Sequence, residues 1–451
     1  MALAALIVIA LLDSHARANG RYPKADQLLV SPDRAGFLAV RATFGLLLSR
    51  DAGDTWDWVC ERAIGYSGIQ DPTLGVMADG TLIEGLAEGM ARSGDFGCNW
   101  DFSEVDLRGA PIIDLTVRRG TPSSALALLW DAQAVSYSSR FVASSDDGRS
   151  FVAYGSPIDP SVLVLTLDAA PSDPHRVYAS GTRTTNGMRS ALLFVSSDDA
   201  RHWVEYPVPF DPKTEQGVYI AAVDPQHADT LYLRTSSATV SHLLVSHDAG
   251  AHFDVAYSGS LLAFALSPDG GQLYFGGEDG LHSGAASDLS FEQRASLRLL
   301  CLAATKDALY ACSDEHSGFT VGVSSDGGFT FAPKLHLNTV RGPLACSSDP
   351  AVSCEEDWPL VRAQLGIPIP EASDAGGAAG AGGEAQADAG SESPAGAGGA
   401  GALSPHGSSS CALRATGGRG APRSTAWLIG LLASWLSRRH RLRRRRRLRA
   451  S

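Results

Sequence analysis

Short apolar runs alternate with polar turns along most of this chain. The segments LLVSPDRAGFLAV (28–40), LTLDAAPSDPHRVYA (165–179), AAVDPQHADTLYL (221–233) and FALSPDGGQLYF (264–275) share one plan. Each sets two apolar strands either side of a turn that holds Pro and Asp, with Gly in two of the four. Asp and Pro initiate turns and Gly takes backbone angles other residues avoid, so each segment predicts a β-hairpin.

Between these hairpins an octapeptide recurs, at 49–56, 93–100, 144–151, 196–203, 246–253 and 324–331. Its first copy reads Ser49-Arg50-Asp51-Ala52-Gly53-Asp54-Thr55-Trp56. The Ser, the Asp and the final aromatic hold in all six copies, and the Gly in five, with Ala200 the exception. A degenerate copy lies near 283–291, and successive starts then fall 44, 51, 52, 50, 37 and 41 residues apart. The motif has a local physical logic. Ser and Asp side chains bond turn backbone, Gly supplies a positive φ without steric cost, and the aromatic tucks beneath.

This octapeptide resembles the Asp box, or BNR repeat, of sialidase-like β-propellers. The resemblance implies an all-β fold, a β-propeller of four-stranded antiparallel blades over residues 19–370. The spacing gives seven blades, with six and eight as alternatives. The segment 342–367 is expected to form a closing cap or short helix. The family places its boxes on the face opposite its usual binding site, so the box is a structural staple.

The two ends read as addresses. Residues 2–12 (ALAALIVIALL) are apolar and precede Ala16-Arg17-Ala18, which marks residues 1–18 as a secretory signal peptide cleaved after Ala18. Residues 371–410 include 23 Ala or Gly among 40 and no aromatic, the composition of a disordered linker. A flexible chain of that length reaches roughly 35 Å. Residues 411–451 then offer Cys411, a polar spacer, a short hydrophobic helix over 426–436 and nine Arg between Arg438 and Arg449. Eleven apolar residues fall short of the roughly 20 that span a bilayer, and the Arg cluster would stay cytoplasmic.

This tail resembles the myxobacterial C-terminal sorting tail, the MYXO-CTERM type. It implies a sorting protease, a transient membrane contact through the tail, and display at the outer surface of a Gram-negative cell. Cys411 is then the processing or lipid-attachment position.

Seven Cys occur, at 60, 98, 301, 312, 346, 354 and 411. An exported chain tolerates disulfides, and with Cys411 assigned to the tail six remain, which allow 15 connectivities. Local geometry favours Cys301–Cys312 across a hairpin and Cys346–Cys354 in a short ring, leaving Cys60 with Cys98. No CxxC or HxxxH spacing occurs, so neither a metal nor a cofactor is expected.

Charge separates body from tail. The net −12 averages a tail of 12 Arg with no acid and residues 1–410, where 25 basic residues face 49 acidic ones, a net of −24. Such a body repels phosphate backbones, which counts against nucleic acid and favours cationic or neutral ligands.

Longer loops at 131–140, 180–189 and 234–241 make Trp130, Arg183 and Arg189 the ligand-contact candidates. Two functional classes stay open. One is a noncatalytic, surface-displayed module for a protein or an extracellular polysaccharide. The other is a glycoside hydrolase on the same fold. The sialidase resemblance implies three converging Arg, and the sequence offers Arg21 (in Arg21-Tyr22-Pro23), Arg41 and Arg183. An ordinary glycosidase needs two facing carboxylates. Glu84 with Glu88, and Glu278 with Asp279, are the acid pairs near the inner loops, and both read more simply as solvated turn residues.

Overall fold

The computed structural model describes residues 21–369, apart from 104–106, 120, 122, 134, 135 and 348. The signal peptide, linker and sorting tail, Cys411 included, lie outside the described residues.

Among the described residues, twenty-eight strands form seven four-stranded antiparallel sheets, each built from four consecutive strands. The blades span 25–59, 73–102, 112–153, 162–208, 215–259, 263–295 and 301–335. The chain is a seven-bladed β-propeller. The degenerate repeat is a genuine blade: its third strand, Gly280–Ala285, pairs with Glu292–Ala295 although the turn between them does not keep the octapeptide spacing.

The alternation of side chains along a strand explains the ring. In the second strand of blade 4, Val177 and Ala179 enter the core shared with blade 3, while Tyr178 enters the core shared with blade 5. A blade is therefore apolar on both faces, and its neighbours cover both. Fully burying each such side chain stabilises by about 1.5–3 kcal/mol.

All six intact octapeptides close by the same bonds. The Ser hydroxyl donates to the Asp carboxylate at 2.7–2.9 Å and accepts the backbone N–H four residues on at 2.7–2.9 Å. The same Asp oxygen accepts the N–H of its own fourth neighbour, at 2.8–3.0 Å. Two successive residues take positive φ, for example Ala249 (58°) and Gly250 (92°). Ala200 adopts φ 61° at the position where the other copies have Gly. These bonds hold the Asp carboxyls low. At Asp198 and Asp248 the bonds from His202 and His252 bring them to about 2. At Asp51 burial opposes, but bonds from Thr55 and Ser49 prevail, again to about 2.

The octapeptide turns of blades 1, 3, 4 and 5 bond the turn between strands one and two of their blade, as in Ala52 N–H to Gly36 O (2.9 Å) and Asp199 N–H to His175 O (3.1 Å). Both kinds of turn therefore share one face, here the octapeptide face. Hairpins between strands two and three occupy the opposite, hairpin face.

Blades 7 and 1 exchange no strand. Trp56 Nε1 donates to Lys334 O at 2.9 Å and Lys334 Nζ pairs with Asp54 at 2.6 Å. Residues 336–369 then return as a strap along the outer edge of blade 1. Arg341 N–H donates to Trp56 O (3.0 Å), Trp58 N–H to Gly342 O (2.7 Å) and Leu344 N–H to Trp58 O (2.8 Å). The strap ends in the helix Trp358–Gln364, whose Val361 packs with Leu365 against Ala25, Ala42, Phe44, Cys301 and Cys312 at the hairpin-face junction of blades 7 and 1.

Two disulfides fix this strap and correct the expected pairing. Cys60 joins Cys354 and Cys98 joins Cys346, so neither the Cys346–Cys354 ring nor the Cys60–Cys98 bridge forms. Strap pairing carries Cys346 and Cys354 past blades 2 and 1, where their partners stand. Cys301–Cys312 forms as expected, since those residues are register partners in one hairpin. Three disulfides fit an exported protein in an oxidising compartment. Among the described residues, no helix is long and apolar enough to cross a membrane.

Candidate functional site

The strap helix covers the hairpin face at blades 7 and 1, leaving blades 2 to 6 more open. The expected long loops of blades 3 and 4 are instead long strands, while in blade 5 the strand pairing ends at Arg234 and Leu243. Residues Ala125–Gln133 and Ser136–Ser144 pair throughout, as do Val177–Thr185 and Met188–Ser196 about a turn at Asn186-Gly187. Nine-residue strands replace the five-residue strands of blade 1, so these hairpins stand proud of the face.

The three sequence candidates sit on or beside these hairpins, each bound to a neighbour. Trp130 Nε1 donates to Val164 O of blade 4 at 2.8 Å, and its ring lies 6.1 Å from that of Tyr137. Arg183 forms a bidentate pair with Glu205, both bonds 2.7 Å, and also donates to Ser161 Oγ at 3.2 Å. Arg189 is exposed and donates to Gln216 O of blade 5 at 3.0 Å. They bridge blades 3, 4 and 5 rather than converge on one point.

A second group gathers between blades 1 and 2. Arg21 Nη2 and Arg41 Nη1 both reach Asp71 Oδ1, at 2.5 and 3.1 Å, while Arg21 Nη1 donates to Gln70 O at 2.9 Å. Two of the three Arg that the sialidase resemblance calls for thus meet on one carboxylate, and Arg183 lies in blade 4. Asp71, which sequence reasoning missed, has no motif to announce it.

The acids near the inner hairpins divide. Glu84 is no solvated turn residue. It lies on the second strand of blade 2 at 0% exposure, and neither carboxyl oxygen has a hydrogen-bond partner. Burial pushes its carboxyl up to about 8 against the pull of Arg41, with Glu61 adding to the rise. Its signal in the sequence, an acid inside the apolar run TLIEGL, was weak because exposed strands also alternate. Glu88 takes Gln70 Nε2 on both oxygens at 3.1 and 2.9 Å. Glu278 holds Arg298 through two 2.7 Å bonds, and Asp279 accepts from Tyr257 at 3.3 Å.

Blade 5 carries Ser258, His242 and Glu215 in series. Ser258 Oγ lies 2.8 Å from His242 Nδ1, but His242 Nε2 is 3.9 Å from Glu215 Oε1, beyond hydrogen-bond range. The series is therefore not assembled as a nucleophile, base and orienting acid. Among the described residues, no group of three or more His, Cys, Asp or Glu is arranged to hold a metal ion.

Fold and disulfides together define a strapped seven-bladed β-propeller. No family model matches the chain, and no curated protein matches it. Solved structures are similar to it over part of their length. An ancestral GH74 enzyme is 13% identical with a TM-score of 0.35, covering 70% of this chain, and the chain spans only 38% of that protein. YCF48 from Cyanidioschyzon merolae is 11% identical, TM-score 0.45, with 68% of this chain and 94% of that one covered. The extracellular domain of a hybrid two-component system from B. thetaiotaomicron is 11% identical, TM-score 0.47, with 68% and 39% covered. These likenesses concern the propeller fold alone.

Proposed function

We propose that this chain is an Asp-box propeller that recognises an extracellular polysaccharide or a protein without chemical turnover. It is displayed at the cell surface by a processed sorting tail. The observation that supports this reading is the state of the acids near the inner hairpins. Glu84 is sealed, Glu88 and Glu278 are held by Gln70 and Arg298, and Asp279 accepts from Tyr257. A glycosidase needs one carboxylate free to attack or to activate water and one acid able to reach the leaving oxygen. Function resides in such sites and not in the fold.

The test incubates the protein with a panel of sialosides and glucans and follows both binding and released sugar. Retention without release is the expected result. Turnover that disappears on Glu88→Gln or Glu278→Gln would sink the reading in favour of a glycoside hydrolase. Mass spectrometry of the mature protein tests display: a C-terminus at Ser451 contradicts processing at Cys411.

A further inference from the structure

We propose that a hollow between blades 3 and 4 on the octapeptide face binds a single oxyanion, a carboxylate or sulfate ester, borne by an extracellular polysaccharide. The proposal deepens the recognition reading and rests on it for the source of the anion. The hollow lies between the turn after Ile112–Val117 and the turn after Val162–Ala169, each joining strands one and two of its blade. It has a volume of about 70 Å³ and is lined by Arg118, Arg119, Thr121, Ala170, Pro171 and Pro174. That is several times the roughly 10–15 Å³ of the same measure that one water needs, room for a small oxyanion.

The charges there are unbalanced in a way their neighbours are not. Arg149 pairs with Asp147 at 3.4 Å, Arg176 with Asp229 at 3.1 Å and Arg201 with Asp199 at 3.1 Å. Arg118 donates to the backbone oxygen of Pro174, which fixes its guanidinium at the hollow without neutralising it. Neither Arg118 nor Arg119 is in an ion pair among the described residues.

The buried acids of the two strands that lead into these turns are already engaged. Asp168, the buried acid toward which Arg119 acts, already accepts Ala169 N–H at 2.8 Å and Thr116 Oγ1 at 3.0 Å, and burial pushes its carboxyl up. Asp114 accepts Leu167 N–H at 2.8 Å, and burial pushes it to about 7. Two arginines that make no ion pair among the described residues thus line one small concavity. An oxyanion would relieve their repulsion and accept charge-assisted bonds from both. Thr121 adds a hydroxyl donor, and Ala170, Pro171 and Pro174 offer CH surface to the ring that bears the anion.

The acidic body argues the other way at long range. Residues 21–369 carry 43 acidic and 24 basic residues, a net of −19. At physiological ionic strength the Debye length is about 8 Å, so a group seated between two guanidinium groups is governed by them and not by the distant acids. The general preference for cationic or neutral ligands then has a local exception.

Calorimetric titration of the full chain with sodium sulfate, glucuronate and glucose tests the site. Titration with dextran sulfate, polygalacturonate and neutral dextran tests the source. Sulfate or glucuronate should bind with Kd on the order of 1 mM, glucose should not, and the matching charged polymer should bind more tightly through repeated contacts. Arg119→Ala should weaken binding about tenfold, Arg118→Lys should retain part of it, and Arg201→Ala should leave it unchanged.

An equal loss in Arg201→Ala and Arg119→Ala would overturn the proposal as diffuse electrostatics. Retention of neutral dextran without any anion binding overturns the hollow while leaving the recognition reading intact. Small-anion binding without polymer binding overturns the polysaccharide source.

Discussion

Removing both strap disulfides, by Cys60→Ala, Cys354→Ala, Cys98→Ala and Cys346→Ala, should convert a clasped ring into one held by noncovalent contacts. The two bridges span 294 and 248 residues. By loop entropy the longer ring lowers the free energy of folding by about 5–6 kcal/mol. The second bridge adds only the part the first leaves free, 294 less 248 or 46 residues, which contributes about 4 kcal/mol. Together this is about 10 kcal/mol as an upper figure. Unfolding entropy for roughly 350 residues is about 0.7 kcal/mol per degree, so the midpoint should fall by roughly 13 °C.

The third bridge provides the control. Cys301–Cys312 spans 11 residues within one hairpin, and its removal should cost about 3 kcal/mol, or roughly 4 °C. Differential scanning calorimetry supplies the midpoints, and limited proteolysis followed by mass spectrometry reports release of residues 336–369. The reasoning is refuted if the four-Cys variant loses no more than the Cys301→Ala, Cys312→Ala variant and its strap stays resistant to protease. In that case the three backbone bonds to blade 1 and the helix packing would suffice to close the ring.

Three further outcomes follow from buried groups. Glu84 has its folded carboxyl raised from 4.5 to about 8, so stability is fullest below pH 4.5 and is lost as pH rises toward 8. At about 1.4 kcal/mol per unit the loss approaches 4–5 kcal/mol. Glu84→Gln should flatten the decline in midpoint between pH 5 and 9, and parallel curves for both proteins would contradict the assignment. The octapeptide carboxyls behave oppositely: Asp51, Asp198 and Asp248 are lowered to about 2, so their contribution is present above pH 4 and vanishes as pH falls through 2, visible as acid unfolding by circular dichroism. Ser246→Ala leaves the buried Gly250 N–H without its 2.7 Å acceptor and should cost about 1–2 kcal/mol in urea unfolding. Gly250→Ala should cost more, about 2–3 kcal/mol, because a Cβ there meets Leu193 Cδ2 at 2.3 Å with φ at 92°. An unchanged urea midpoint in that variant would show that the turn relaxes freely.

The blade plan could be read from the sequence because its information is local. Ser246, Asp248, Gly250 and Phe253 fall within eight residues, and the turn they encode needs no distant partner. Six copies at near-regular spacing therefore gave blade number and size, while the face carrying the turns came from the family resemblance. The Cys301–Cys312 bridge was legible for the same reason, since one hairpin supplies both partners.

What the tertiary structure decided depends on residues far apart in the chain. Cys60 meets Cys354, and Cys98 meets Cys346, only because the ring brings its two ends together and the strap continues past blade 7 onto blades 1 and 2. Asp71 collects Arg21 and Arg41 because adjacent blades lay their hairpin-face ends side by side. Glu84 sits in an apolar strand pattern that a half-exposed blade would also show, and only the facing blade seals it from water. Trp130, Arg183 and Arg189 stand on or beside the long hairpins of blades 3 and 4, yet their partners Val164, Glu205 and Gln216 are contributed by other strands. Turn chemistry is written within a few residues, whereas burial, pairing and charge balance are properties of neighbours that only closure of the ring supplies.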